Sequence, residues 1–211
     1  MPRLLAVCRV ARLLPDPGTV GVTAIDKRPV EGPVVVRELG LYADVQADRA
    51  HHGGEDKALY AYSSEDAQWW EQQLGRELPP GRFGENLRSE GLEVSGAVIG
   101  ERWRIGASVE VEVTMPRTPC ATFQRVLDEP QWVRRFTEAG RVGAYVRVLR
   151  RGSLEAGDAI EVLSRPEHGV PVDRWFRERR PEDAQALLEA AEQGALRLAP
   201  ALLVSIERAL A

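Results

Sequence analysis

Short stretches of alternating hydrophobic and polar residues run through the first two thirds of the chain and predict β-strands. The clearest is the segment 109–115, in which Val109, Val111, Val113 and Met115 fall on one face of a half-buried strand. Further strands are predicted at 4–10, 33–37, 58–62, 102–105, 144–149 and 159–163, with turns between them. Many short strands with frequent turns are typical of a β-barrel or a β-sandwich.

Helical spacing interrupts this pattern once clearly, in the segment that follows residue 63. Ala67, Trp70 and Leu74 share one helical face, Ser63 or Ser64 can cap the start, and Gly75 can end the helix. A weaker helix is predicted from residue 129 to about residue 139.

The pattern becomes helical from residue 172 onward. Pro181 and Pro200 each suit the first position of a helix, and Gly194 can cap the end of the first of these two helices. We therefore expect a mainly β domain over residues 1–165 and a small helical extension over residues 166–211. An extension of this size is too small to be stable alone, so it should pack on the first domain or on a partner chain.

Composition and charge are those of an ordinary globular protein. The chain has 211 residues, of which 44% are hydrophobic and 28% are charged. A net charge of -4 attracts neither a nucleic-acid polymer nor an anionic membrane. The two cysteines, Cys8 and Cys120, are too few for a disulfide scaffold, and the apolar N-terminus is too short to span a bilayer. These features favour a cytoplasmic protein.

One cysteine stands where a reactive thiol would be useful. The strand 109–115 is followed by Pro116, which cannot donate to a sheet ladder, and a second proline then stiffens the turn before Cys120. Arg117 lies close in sequence, and a cation near a thiol favours the thiolate, which attacks electrophiles and binds soft metals. The alternative is a buried, inert cysteine, which is equally common.

Two loops hold the other reactive residue types. The segment 51–57 contains His51, His52, two glycines and Lys57, which suit a tight loop near a phosphate, although a polar surface turn is an equal alternative. Two adjacent histidines do not face one point on a strand, so this pair alone is a weak metal site. The segment 82–87 places Glu85 beside Asn86, whose amide suits recognition of a heterocycle, but Asn and Gly also favour plain turns.

These segments, together and in this order, resemble the MOSC domain family, named after the C-terminus of the molybdenum-cofactor sulfurase. The bacterial YiiM-like branch is the nearer match. The resemblance covers nearly the whole chain and rests on the segments 23–30, 51–58, 83–87, 116–120 and 143–148. The helical tail over residues 166–211 also resembles the three-helix extension of that branch. In one place the chain departs: Ala43-Asp44 stand where the family often has Gly-Asp, which puts the local turn in question.

The resemblance implies a β-barrel core that binds the molybdenum cofactor, with Cys120 as the protein ligand of the metal. It implies Lys27 as a residue of the phosphate or pterin site. His51, His52, Lys57, Asn86 and Arg117 are implied as lining of the same pocket, and Glu85 or His52 as a proton donor. Relatives of this kind reduce N-hydroxylated compounds, including N-hydroxylated purine bases, with electrons from a flavoprotein reductase. A homodimer is compatible with this picture.

Two other functions remain compatible with the sequence. Cys120 would carry a persulfide or the cofactor in transit in a carrier protein, without turnover of an organic substrate. A regulatory binding module, whose helical tail docks on a partner, would bind no cofactor at all. Bound molybdenum and turnover with a chemical reductant would distinguish the three, because fold alone does not specify function.

Overall fold

The computed structural model describes residues 1–48 and 53–211, so His51 and His52 lie outside the described residues. The strands are β1 (Arg3–Val10), β2 (Leu14–Pro15), β3 (Val22–Thr23), β4 (Lys27–Pro29), β5 (Val34–Arg37), β6 (Gly40–Leu41), β7 (Leu59–Ser63), β8 (Leu87–Glu90), β9 (Arg102–Ile105), β10 (Val109–Pro116), β11 (Ala144–Arg150), β12 (Gly152–Leu154) and β13 (Ile160–Ser164). The helices are α1 (Ser64–Leu74), α2 (Ala121–Leu127), α3 (Trp132–Ala139), α4 (Val172–Glu178), α5 (Pro181–Glu192) and α6 (Pro200–Leu210), with a 3-10 turn at Glu55–Lys57.

Eight strands form one large sheet in the order β13-β9-β10-β11-β7-β8-β1-β4, and the remaining strands form a small three-stranded sheet and the β2–β3 hairpin. The pairs of the large sheet are antiparallel except β7–β8, which α1 connects as a parallel pair. A bridge between Arg3 and Ala159 brings the start of β1 close to β13. Among the described residues no closed ring of strands is found. The predicted strand-rich core with helices is therefore confirmed, whereas a closed barrel is not.

Strand β10 lies in the middle of the large sheet and ends at Pro116, as the sequence predicts. The alternation of its residues predicts one buried face, but Glu112 and Thr114 on the other face are also buried. Thr114 donates a hydrogen bond to the backbone oxygen of Asp56, and Glu112 pairs with Arg102. The prediction of a half-buried strand is wrong here, because neighbouring strands and the 3-10 turn supply partners on the second face, including Arg147, which also pairs with Glu112.

The helix caps follow the sequence closely at α1 and α3. Ser63 is the N-cap of α1 and accepts a hydrogen bond from the backbone N–H of Asp66, and Gly75 ends the helix in the left-handed conformation. Gly140 ends α3 in the same way, although that helix begins three residues later than predicted, at Trp132. Helix α2, directly after Cys120, was not predicted.

Aromatic side chains pack together between these three helices and the sheet. The Trp70 and Trp132 ring centroids are 4.4 Å apart, and Phe136 lies 5.3 Å from both Trp132 and Phe123. Tyr62 of β7 lies within the same group. Phe123 belongs to α2, so this cluster fixes the helix that Cys120 precedes.

The helical extension packs on the sheet, as expected for a segment that is too small to fold alone. The backbone of its linker bonds to the segment before β9: Ile99 donates to Val170, and Val172 donates to Ala97. Trp175, Leu187 and Ile206 belong to the same continuous core as the strands. The division of the chain at residues 165 and 166 stays a prediction.

None of the helices in the described part of the chain combines the length and the apolar character that a membrane span requires.

Replacing Phe136 by alanine should lower the free energy of unfolding by about 3–5 kcal/mol, because the change leaves a cavity in the aromatic cluster. Chemical denaturation measures the effect. The control is Arg134→Ala on the same helix. The Arg134 side chain is 73% exposed, so this substitution should change the free energy of unfolding by less than about 0.5 kcal/mol. Equal stability of the two variants would contradict the role assigned to the cluster.

Candidate functional site

A cavity with a volume of about 180 Å³ lies at the end of β10. The β2–β3 hairpin and the segment after it form one wall, and the chain at 45–48 forms another. Its lining includes the side chains of Lys27, Lys57, Tyr60, Asn86, Arg117, Cys120 and Tyr145, together with the carboxylates of Asp16 and Asp48. Cys120 also borders a wider open depression outside the cavity.

Cys120 is partly exposed and occupies the N-cap position of α2. Its side chain makes no capping hydrogen bond, and the backbone N–H groups at the start of a helix favour a negative charge. Cys8 contrasts with it, because Cys8 is fully buried and burial raises the pKa of its thiol far above the usual value. Cys120 is therefore the cysteine that has access to a ligand.

Arg117 is the buried cation closest in sequence to that thiol, and it is only 4% exposed. Its guanidinium carbon lies 4.2 Å from the ring centroid of Phe123 and 5.6 Å from that of Tyr60. One nitrogen donates to the backbone oxygen of Thr118 at 3.1 Å, and no carboxylate of the described residues forms an ion pair with Arg117. A buried cation that is held by two rings and one backbone oxygen is well placed to meet an anionic ligand in the cavity.

Lys27 reaches the cavity but already has a partner. Its amine lies 2.5 Å from Asp44, and the side chains of both residues are 8% exposed. The amide of Asn86 donates to Asp44 at 2.8 Å and to the backbone oxygen of Cys8, and its oxygen accepts from the backbone N–H of Tyr60. Asn86 therefore has no amide donor left to recognise a heterocycle, and a phosphate at Lys27 would have to share the amine with Asp44.

The turn that carries Asp44 keeps the conformation that glycine usually adopts. Ala43 has φ 58°, in the left-handed region that disfavours a side chain. Asp44 accepts a hydrogen bond from the backbone N–H of Val10 at 2.8 Å, which fixes the turn against β1. The alanine at residue 43, where the family often has glycine, thus causes local backbone strain, while Asp44 keeps its place in the turn.

Glu85 is completely buried, and its carboxylate has four hydrogen-bond donors. The backbone N–H groups of Gly81 and Phe83 donate to it at 2.7 and 3.0 Å, and Arg88 forms a buried ion pair with it. Gly81 lies against the backbone of Lys27, where a Cβ atom would come within 2.2 Å of the carbonyl oxygen. These contacts favour a structural role for Glu85 over the proton-donor role, because the carboxylate does not line the cavity.

Lys57 and Tyr145 lie together on the cavity wall, with the lysine amine 5.8 Å from the tyrosine ring centroid. Burial lowers the pKa of Lys57 below its usual value. Burial has the opposite effect on the phenol and raises the pKa of Tyr145. Burial thus makes it easier for the Lys57 amine to release a proton.

Sequence reasoning missed Asp44, Tyr60, Tyr145 and the β2–β3 hairpin. Asp16 of the hairpin accepts hydrogen bonds from Thr122 and Arg125 of α2, so the hairpin is attached to the helix that follows Cys120. Of these, only Asp44 could have been found from the sequence. A short polar residue that follows a position where the family often has glycine indicates a fixed turn. The other contacts join residues that are far apart in sequence.

The donors of the cavity suit a soft metal bound to an anionic organic ligand. In the described part of the chain, no group of three His, Cys, Asp or Glu side chains forms a conventional metal site. Cys120 offers a thiolate, which soft metals prefer, and Arg117 and Lys57 offer positive charge. A metal that brings most of its own ligands would fit this donor set.

Comparison with known proteins agrees on one family. The model of the MOSC domain matches residues 48–161, which is more than half of the chain. Protein YflK of Bacillus subtilis (strain 168) is 37% identical over 150 residues, covering 71% of this chain and 67% of that protein. Protein YiiM of Escherichia coli (strain K12) is 33% identical over 147 residues, covering 68% of this chain and 65% of that protein.

A longer relative and a solved structure complete the comparison. A protein named "Reductase" from Gibberella moniliformis is 31% identical over 175 residues, which cover 78% of this chain and only 30% of that protein. The crystal structure of YiiM from Geobacillus stearothermophilus aligns over the full length of both chains with a TM-score of 0.78 and 26% identity.

Replacing Glu85 by glutamine should lower the free energy of unfolding by about 3–5 kcal/mol, because Arg88 would keep a buried charge without its partner. Thermal and chemical denaturation measure this loss. The matched control is Glu90→Gln. The side chains of Glu90 and Arg3 are 42% and 56% exposed, so their ion pair should contribute less than about 1 kcal/mol to the free energy of unfolding. A Glu85→Gln protein with unchanged stability but no activity would restore the proton-donor role.

Proposed function

The chain belongs to the MOSC domain family, in its YiiM-like branch, and from this premise we propose that it is a molybdenum-cofactor-dependent reductase of N-hydroxylated compounds. N-hydroxylated purine bases are the proposed substrates, and a flavoprotein reductase is the proposed electron donor. The protein would act in the cytoplasm. The name of the fungal relative, "Reductase", supports the proposed class of reaction.

The observation that carries the proposal is the position of Cys120. Its thiol has access both to the cavity and to the open depression, while the second cysteine of the chain is buried. Arg117 adds a buried positive charge without an acidic partner among the described residues. A thiolate that lines the same cavity as a buried cation suits a molybdenum bound to an anionic pterin.

The reaction requires two electrons and two protons for each N–OH group. The N–O bond breaks, a new N–H bond forms, and the oxygen leaves as water, while the flavoprotein is oxidised. The molybdenum cofactor supplies the redox chemistry when it is bound. The protein supplies binding, orientation and protons.

Lys57 is the described residue best suited to provide a proton. It lies on the cavity wall, its pKa is lowered by burial, and its amine lies 5.8 Å from the ring centroid of Tyr145. His52 remains a proposed alternative from the family resemblance and lies outside the described residues. Lys27 and Asp44 would hold the cavity wall through their ion pair.

Replacing Cys120 by serine should remove most of the molybdenum from protein that is produced in a host able to make the cofactor. Metal analysis and pterin fluorescence measure the loss, and turnover of an N-hydroxylated base with a chemical reductant should fall with it. The control is Cys8→Ala, which changes the other cysteine and should retain the metal. Circular dichroism should show that both variants keep the fold.

Full reductase activity in a Cys120→Ser protein that retains molybdenum would contradict the proposal. Molybdenum bound by the wild-type protein without any turnover would favour a carrier instead. Protein that contains neither metal nor pterin after expression in the same host would favour a regulatory binding module.

The Lys57→Arg variant tests the origin of the proton. In the wild type the rate should fall as the pH rises through the lowered pKa of Lys57, because the neutral amine has no proton to donate. Arginine keeps the positive charge but does not release its proton, so kcat should fall by a factor of about 10²–10⁴ and the alkaline decline should disappear. A variant with the kcat and pH profile of the wild type would assign the proton to another group.

A further inference from the structure

A second cavity of about 150 Å³ lies between the end of β10 and the C-terminal helices. Met115 and Pro116 line it from the strand, Trp175 and Phe176 from α4, and Leu202 from α6. All of these side chains except Pro116 are buried. The helical extension therefore provides much of the wall of a cavity that has both apolar and polar lining.

The size and lining of this second cavity suit one flat ring system. An apolar cavity of about 150 Å³ in another protein is large enough to bind benzene. Trp175 and Phe176 provide aromatic contacts, and Met115 provides a polarizable thioether, which packs well against rings. A small aliphatic ligand would leave much of this surface without contacts.

Two features connect the second cavity with the site at Cys120. Lys57 and Tyr145 line both this cavity and the cavity that Cys120 lines, so the two spaces are adjacent. Thr118 lines the second cavity and also the open depression that Cys120 borders. A ligand in the second cavity would thus lie directly next to the thiol segment 116–120.

Polar groups lie on the lining contributed by the extension. Arg179 ends α4 with φ 45°, in the left-handed region that disfavours a side chain. Its side chain lines the cavity, as does the Ser205 hydroxyl, and Arg179 forms no ion pair with any residue that the structure describes. The strained position thus holds a hydrogen-bond donor where a heterocycle would present ring nitrogens or a carbonyl oxygen.

We propose that this second cavity is a substrate subsite, which binds the aromatic heterocycle of the substrate while its N–OH group reaches the site at Cys120. This inference rests on the proposed function and deepens it, because it assigns the choice of substrate to the helical extension. N-hydroxylated aromatic heterocycles are then preferred over N-hydroxylated aliphatic compounds.

The test fills the cavity from its exposed edge. Ala201 is exposed and lines the second cavity, so Ala201→Phe should narrow the space without disturbing the core. The matched control is Val204→Phe, because Val204 lies on the same helix, is 44% exposed and does not line the cavity. A second variant, Arg179→Gly, removes the donor and relieves the backbone strain, so it should not lose stability.

Adenine is the probe for binding, measured by calorimetry on the metal-free protein, which separates this test from turnover. We expect adenine to bind the wild type and Val204→Phe with equal affinity. Its affinity for Ala201→Phe should be at least about tenfold lower. Arg179→Gly should also bind more weakly while its melting temperature rises. With the loaded enzyme, Ala201→Phe should raise the KM for N-hydroxylated adenine and leave the KM for acetamidoxime unchanged.

Adenine binding that is absent in the wild type, or equal in Ala201→Phe and Val204→Phe, would overturn the subsite. That result would leave the reductase proposal intact if N-hydroxylated compounds are still reduced. Conversely, adenine binding that Ala201→Phe weakens, in a protein without reductase activity, would retain the subsite and reject the reductase.

Discussion

The site depends on the way in which the chain leaves strand β10. Pro116 has no N–H group to continue the sheet ladder, so the strand ends there and the next four residues lead into α2. Phe123 and Leu127 of that helix are fully buried, and Phe123 joins the aromatic cluster with Trp132 and Phe136. This packing fixes the helix, and the helix in turn fixes Cys120 at its N-terminus.

The charged side chains around the cavity differ in whether a side chain of opposite charge pairs with them. Glu85 and Arg88 neutralise each other in the interior, and Lys27 and Asp44 do so at the cavity wall. Breaking either pair would leave an unpaired buried charge, so both serve to hold loops in place. Arg117 is different because aromatic rings surround its guanidinium and no carboxylate of the described residues pairs with it. Arg117 thus keeps a buried positive charge on the cavity that Cys120 also lines.

Local patterns in the sequence predicted much of the fold. The alternation at 109–115, the cap at Ser63 and the glycines at 75 and 140 correspond to elements that the structure contains, since each signal acts over a few residues. Helix α2 was missed because it is only seven residues long and has no polar side chain capping its start. Burial of Glu112 was missed because the groups that cover it come from distant parts of the chain.

The candidate site was predictable in its residue types and less so in their roles. Cys120 and Arg117 line the cavity together, as the sequence suggested. Asn86 and Glu85 have partners that are fixed only by tertiary contacts, so the sequence overstated their freedom to act on a ligand. The same limit applies to the second cavity, because its two halves meet only when the helical extension packs on β10.

The most direct test of the central claim is X-ray absorption at the molybdenum edge, recorded on the wild-type protein and on Cys120→Ser with the cofactor restored. The account predicts one more sulfur ligand on molybdenum in the wild type than in the variant, because the Cys120 thiolate adds to the sulfurs that the pterin provides. Identical sulfur coordination in the two proteins would contradict it, since Cys120 would then not be the ligand of the metal.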